Sequence, residues 1–146
     1  MILLDSAEAT EALGATLAEL IRPGDVVALF GDLGAGKTTL TRGVLRGLGF
    51  DGDVASPTFP IVQSYEGLAV PIWHVDLYRI EEESEFEELG LDEALLDGAL
   101  VVEWPERLGE ALWPHALRLY LTAAGEGGRA LTAQVPPAWE SRWPPR

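Results

Sequence analysis

The chain is short of several residue types, and each shortage excludes a class of protein. None of its 146 residues is cysteine, which excludes disulfide bonds and thiolate metal sites. No run of apolar residues approaches the ~20 residues that a membrane-spanning helix needs. We therefore expect a soluble, cytoplasmic protein that makes no contact with a membrane.

Positive charge is also scarce. Ten Lys and Arg residues stand against 24 Asp and Glu residues, which gives a formal net charge of −14. A surface of this sign repels the phosphates of RNA and DNA, so we expect any contact with nucleic acid to be indirect, through a partner. The densest acidic stretch covers residues 81–88. It is either a solvated helix face or a docking surface for a basic partner.

Only one of the ten basic residues is lysine, and that residue lies in a motif. Lys37 belongs to Gly31-Asp32-Leu33-Gly34-Ala35-Gly36-Lys37-Thr38, which matches the P-loop pattern G-x-x-x-x-G-K-[ST]. Small residues let backbone N–H groups approach phosphates closely. Lysine supplies a compact ammonium for the β- and γ-phosphates, and threonine offers a hydroxyl to Mg²⁺. The motif therefore predicts a bound nucleotide triphosphate with Mg²⁺, and we expect the Lys37 side chain to lie at the protein surface.

Apolar periodicity and turn residues predict an α/β fold. The expected elements are a helix over 6–21, a strand over 26–30, a helix over 38–48, strands over 61–65 and 68–76, a helical stretch over 81–96 that Gly90 would break, a strand over 99–104, and a hairpin of strands 116–122 and 129–135. This order predicts a P-loop NTPase-like three-layer sandwich around a mostly parallel sheet with antiparallel additions. Residues 1–135 would form the domain. Residues 136–146, which hold four of the ten prolines, would form an irregular tail.

Two carboxylates follow apolar strands. Asp76 ends the run over 70–75, and Glu103 ends the run over 100–102. Ligands of such sheets gather at the carboxyl ends of the parallel strands. One or both side chains would therefore serve Mg²⁺ and the attacking water.

Three further residues each admit two interpretations, one of them as part of the site. Thr58, in Ser56-Pro57-Thr58-Phe59, suits either a switch loop that reaches Mg²⁺ or an ordinary turn. Trp104 would stack on adenine or simply fill the core or rim. Arg79 would sense phosphate or pair with the acidic stretch. His74 alternates with apolar neighbours, so we interpret it as structural.

The absences also narrow the class of P-loop protein. A GTPase reads guanine through an N-K-x-D motif. This chain cannot contain that motif, because its only lysine already belongs to the P-loop. No arginine lies between Gly47 and Tyr78 to anchor a kinase lid there. An ATPase is favoured, with a small-molecule kinase and a non-catalytic, nucleotide-gated binding module as the alternatives.

Four motifs together resemble one protein family. They are Gly31-Asp32-Leu33-Gly34-Ala35-Gly36-Lys37-Thr38-Thr39, Ser56-Pro57-Thr58-Phe59, His74-Val75-Asp76-Leu77-Tyr78-Arg79 and Val102-Glu103-Trp104. In this order they resemble the bacterial TsaE proteins, the ATPases of tRNA threonylcarbamoyladenosine biosynthesis. The resemblance extends from about Thr10 to Arg129.

The resemblance implies a role for each motif residue. Mg²⁺ would be held by Thr38 and Glu103, with Asp76 nearby, and Trp104 would lie against the adenine. Catalysis would depend on Lys37, Thr58, Asp76 and Glu103. The nucleotide would be bordered by Thr10, Gly34, Ala35, Gly36, Lys37, Thr38, Thr39, Trp104 and Arg129.

The resemblance also implies partners. TsaE proteins work with TsaD and TsaB, which install the threonylcarbamoyl group on the adenosine beside the anticodon. The expected activity is ATP hydrolysis that resets this complex, with tRNA contacted only indirectly.

Overall fold

A mixed sheet of seven strands runs through the computed structural model. The structure describes residues 2–31, 36–52, 54, 62–81, 83–124 and 127–144. Within these ranges the strands are β1 (Ile2–Leu4), β2 (Val26–Phe30), β3 (Val62–Tyr65), β4 (Ile72–Asp76), β5 (Ala99–Glu103), β6 (Leu117–Ala123) and β7 (Arg129–Gln134). The helices are α1 (Ala7–Ala18), α2 (Lys37–Gly47), α3 (Glu83–Glu87) and α4 (Leu91–Ala94), with 3₁₀ segments at Pro105–Ala111 and Pro137–Trp139.

The strand order is β1-β7-β6-β2-β5-β4-β3. β2 pairs in parallel with both β5 and β6, and β4 pairs in parallel with β5. The outer pairs, β1 with β7, β7 with β6, and β3 with β4, are antiparallel. The predicted sheet, parallel in the middle with antiparallel additions, is confirmed. Among the described helices, none is long and apolar enough to cross a membrane.

Each face of the sheet carries its own apolar core, because successive strand residues point to opposite faces. On one face, strand residues pack with α1 and α2; this core includes Leu17, Val27, Leu29, Leu40, Val44 and Val101. On the other face they pack with α4 and the first 3₁₀ segment; this core includes Val26, Ala28, Leu91, Leu100, Val102 and Leu108. These two faces make the predicted three layers.

Helices α1 and α2 approach each other closely because glycines line their contact. A Cβ placed on Gly43 of α2 would lie 2.0 Å from the carbonyl oxygen of Glu11, and one on Gly14 of α1 would lie 2.3 Å from that of Leu40. A real Cβ would push the helices apart. At the amino end of α1, the Ser6 side chain accepts a hydrogen bond from the N–H of Ala9 at 3.1 Å and so caps the helix. The glycine contacts thus fix the position of α2 against α1.

Several predicted boundaries differ from the structure. The helical stretch expected over 81–96 is two short helices, and the expected break at Gly90 is confirmed, since its φ of 65° lies in the left-handed region. The strand expected from Leu68 begins only at Ile72. The edge strand β1 was not predicted, because three residues carry too little pattern to identify a strand.

The C-terminal residues pack on the core, although their prolines predicted an irregular tail. Trp139 is fully buried and belongs to the core beside α1 and α2. The Arg142 guanidinium lies 3.9 Å from the centre of the Trp139 ring. It also donates two hydrogen bonds to the Asp25 carboxylate, at 2.7 and 3.1 Å. The last described segment therefore connects to the turn that precedes β2.

We expect Trp139→Ala to lower the free energy of unfolding by about 3–5 kcal/mol, because it leaves a large cavity in the core. It also removes the ring beneath Arg142. Trp143→Ala, at a partly buried position in the same segment, is the matched control and should cost much less. Urea titrations followed by circular dichroism measure both variants. Equal, small losses would show that this segment is not part of the core.

Candidate functional site

The carboxyl ends of β4 and β5 place two carboxylates side by side. Asp76 is the register partner of Glu103 across the parallel pair, and the two residues are 4% and 3% exposed. The sequence predicted that both residues end apolar strands, and the structure confirms this. The register adds that they are neighbours on the sheet face that α2 covers, because each lies two residues beyond a residue of that face, Asp76 beyond His74 and Glu103 beyond Val101.

Two like charges buried this close repel each other, so the pair favours a cation beside it. Asp76 is oriented by its own loop, since its Oδ1 accepts a hydrogen bond from the N–H of Tyr78 at 2.9 Å. Glu103 is oriented by a side chain of the neighbouring strand. Its Oε2 lies 2.5 Å from Nε2 of His74.

His74, which the sequence led us to interpret as structural, also contacts one of the two carboxylates. The side chain is fully buried and touches a proposed metal ligand. The sequence contained part of this information, because His74 and Asp76 are two residues apart on one strand and so share a face. What the sequence lacked was the register that brings β5 alongside.

Lys37 is the first residue of α2, and the expectation that its side chain lies at the surface is wrong. The residue is only 4% exposed. Its Nζ has no hydrogen-bond partner among the described residues and lies 4.0 Å from the centre of the Trp104 ring. An aromatic face attracts a cation, but replaces only part of the hydration that burial removes. A buried ammonium of this kind is suited to receive an anion.

Trp104 follows Glu103 in an unusual backbone conformation. Its φ of 58° and ψ of 46° are left-handed, which costs a residue with a side chain about 1–3 kcal/mol. The turn carries the indole to Lys37 and to Tyr78, whose ring centre is 4.9 Å away. Arg107 lies in turn 5.6 Å from the Tyr78 ring. Backbone strain at a site residue is an observation that favours a functional role.

The amino end of α2 gathers further positive potential. Gly36 precedes the helix with a φ of 103°, and a Cβ there would lie 3.3 Å from Nε of Arg129 at the start of β7. Thr38 and Thr39 stand in the first turn, both partly exposed, and this turn holds no acidic residue. Helix N-termini attract anions through their unpaired N–H groups and dipole.

Not every predicted site residue takes part in these contacts. Thr10 is buried on α1, and its hydroxyl donates to the carbonyl oxygen of Ser6 at 3.3 Å. Arg79 is exposed, so its two interpretations stay open. Gly34, Ala35 and Thr58 lie outside the described residues, and their roles stay predictions.

The donor set at the strand ends fits magnesium. Carboxylate and hydroxyl oxygens are the ligands that Mg²⁺ prefers, and Mg²⁺ is usually bound by one or two carboxylates together with phosphate oxygens and water. Within the described part of the chain, no group of three or more His, Cys, Asp and Glu side chains is placed to hold a metal alone. Asp76, Glu103 and Thr38 therefore suit a metal that arrives with a phosphate ligand.

Comparisons with known proteins point to one family. Residues 4–131 match the family model described as "Threonylcarbamoyl adenosine biosynthesis protein TsaE". The tRNA threonylcarbamoyladenosine biosynthesis protein TsaE of Bacillus subtilis is 44% identical over 126 residues, which cover 86% of this chain and 78% of that protein. Its namesake from Streptomyces coelicolor is 45% identical over 140 residues, covering 84% and 95%. The crystal structure of Bacillus subtilis YdiB superposes with a TM-score of 0.81 at 34% identity, over 96% of this chain and 88% of that one.

The burial of Lys37 predicts a gain in stability when its charge is removed. Lys37→Met keeps the apolar stem and avoids burying an ammonium, so the nucleotide-free protein should gain about 1 kcal/mol after the lost ring contact is subtracted. This corresponds to a melting temperature higher by roughly 2–4 °C. The control is Arg46→Met on the same helix, where the side chain is half exposed and the change should be small. A Lys37→Met variant that melts clearly below the parent would contradict the burial.

Proposed function

The chain belongs to the TsaE family of tRNA threonylcarbamoyladenosine biosynthesis, and from this membership and the site geometry we propose that it is an Mg²⁺-dependent ATPase that works with TsaD and TsaB. In this proposal ATP hydrolysis resets the TsaD–TsaB pair between rounds of tRNA modification. The chain would contact tRNA only through that pair, which agrees with its net charge of −14.

The observation that carries the proposal is the buried Lys37 ammonium, which has an aromatic ring and no hydrogen-bond partner among the described residues. Phosphate oxygens would give it charge-assisted hydrogen bonds, each worth roughly 1.5–3 kcal/mol. The backbone N–H groups at the start of α2 would bind the same phosphates. Arg129, which lies against Gly36, would add positive charge at the same helix end.

Thr38, Asp76 and Glu103 are the residues that would hold Mg²⁺. The metal, when bound, neutralises charge that develops on the phosphates during transfer. The buried carboxylates would also orient the attacking water and accept its proton. Burial of the pair keeps bulk water away, which strengthens each of these interactions. Thr58 is proposed to complete the catalytic apparatus.

Trp104 would place the adenine. Its indole already accepts one cation, Lys37, on its face, and an aromatic face of this kind also stacks on a planar base. Trp104 follows Glu103 directly. The residue that contacts adenine and a residue that binds the metal would therefore be adjacent in the chain. Binding would therefore change the surroundings of the Trp104 ring and of Lys37 together.

Release of phosphate from Mg²⁺–ATP is the test of the proposed activity. We expect slow release by the chain alone and faster release with TsaD and TsaB. Asp76→Ala and Glu103→Ala should lose most of this rate while retaining most of the nucleotide affinity, because both carboxylates act where charge changes in the transition state. Glu140→Ala, at an exposed position of the C-terminal segment, is the control and should be unchanged.

Three outcomes of that assay would contradict the proposal. Phosphate transfer to an added small acceptor would identify a kinase. Nucleotide binding without release, with or without the partners, would identify a nucleotide-gated binding module. Release at the parental rate by either alanine variant would exclude that carboxylate from the catalytic step.

Tryptophan fluorescence tests the adenine contact. A base stacked on Trp104 should quench its emission, so Trp104→Phe should abolish the quench caused by ADP and keep most of the affinity. Calorimetry supplies the affinity independently. A quench that persists in this variant would assign the signal to one of the other four tryptophans and move the adenine site elsewhere.

A further inference from the structure

His74 occupies a position that would ordinarily hold an aliphatic side chain. It lies in the middle of β4, next to Val101 in register, and on the face to which Ile72 and Val101 contribute core residues. The side chain is 0% exposed. Its Nδ1 has no hydrogen-bond partner among the described residues. Burial of an imidazole in such surroundings is costly, so a compensating role is expected.

Among the residues that the structure describes, the one hydrogen bond of this ring leads to the site. Nε2 lies 2.5 Å from Oε2 of Glu103, a short contact, as hydrogen bonds to carboxylates tend to be. His74 reaches Glu103 diagonally, since its own register partner on β5 is Val101. The imidazole thus approaches the carboxylate from the interior of the sheet face.

We propose that His74 is a positioning residue that fixes the Glu103 carboxylate for Mg²⁺–nucleotide binding, an inference that rests on the proposed function. Its N–H donates to Oε2 and thereby selects one orientation of a side chain that has several rotatable bonds. A donor to a metal ligand holds the geometry before the metal arrives, and the loss of such a donor weakens metal affinity or activity.

The neighbouring carboxylate is oriented by a different kind of donor. The shorter Asp76 side chain accepts a hydrogen bond from the N–H of Tyr78, two residues on. The hydrogen bond between His74 and Glu103 joins the Glu103 carboxylate instead to another strand. These two hydrogen bonds therefore come from different kinds of donor, a backbone N–H for Asp76 and a side chain of another strand for Glu103.

Two substitutions separate the hydrogen bond from the volume of the ring. His74→Leu retains a side chain of similar size but removes the hydrogen-bond donor. His74→Gln retains an N–H donor near the position of Nε2. The control is His115→Leu, because His115 is the other histidine and bonds the carbonyl oxygen of Gly24, at 2.8 Å. Thermal melts confirm that each variant is folded.

ATP affinity is measured by calorimetry with Mg²⁺ and again with EDTA, together with phosphate release in the presence of TsaD and TsaB. In His74→Leu we expect the gain in affinity that Mg²⁺ provides to fall roughly 10–100-fold, with affinity in EDTA unchanged. His74→Gln should recover part of the gain, and His115→Leu should match the parent. Parental Mg²⁺ dependence in His74→Leu would overturn the proposal.

A double-mutant cycle tests whether His74 acts through Glu103. In a chain that carries Glu103→Ala, adding His74→Leu should leave the remaining Mg²⁺ dependence unchanged. Two independent, additive losses would overturn the positioning role.

Nitrogen NMR of ¹⁵N-histidine in the nucleotide-free protein gives an answer that does not depend on ATP turnover. The His115→Leu variant leaves His74 as the remaining histidine and so assigns its Nε2–H signal. This signal should shift when Glu103→Ala removes the carboxylate. An unmoved signal would overturn the positioning role. If the signal moves but the parent shows no Mg²⁺ dependence, the proposed function fails and the hydrogen bond stands.

Discussion

The burial of a single ammonium is the constraint on which the site depends. Lys37 begins α2, and this helix is held by glycine contacts with α1 and by the core above β2 and β5. The helix therefore cannot turn to expose the charge without breaking that packing. The ammonium rests on the Trp104 ring instead. The fold thus holds a poorly hydrated ammonium. An anion would bind to it more strongly than to an ammonium exposed to water.

The opposite charge is built into the sheet. Parallel pairing of β4 with β5 brings Asp76 beside Glu103, and buried like charges make that edge a place for a cation. His74 and the backbone of Tyr78 hold the two carboxylates. The strained Trp104 joins this edge to Lys37. The burial of these charges and the left-handed backbone of Trp104 lower the stability of the free protein, and in the proposed function a metal–nucleotide ligand would offset the cost of the buried charges.

Local patterns in the sequence predicted the parts of this site, but not their contacts. The apolar run over 26–30 and the motif around Lys37 identified β2 and α2, and Asp76 and Glu103 were recognisable as strand ends. Their pairing depends on the register between β4 and β5, in which partner residues are 27 positions apart in the sequence. No local pattern encodes this register. The same holds for His74. The burial of Lys37 and of Trp139 was missed because both follow from packing against distant elements rather than from residue type.

Because Lys37 is the only lysine, labelling lysine with ¹³C at Cε gives a single side-chain probe of the central claim. In the free protein the Lys37 ε-protons should be shifted upfield by the ring current of Trp104. Mg²⁺–ATP should return them toward ordinary values as the ammonium moves to the phosphates, and Mg²⁺ alone should not. An ordinary shift in the free protein, or a signal that ATP leaves unchanged, would contradict the claim that this buried charge is held ready for a nucleotide.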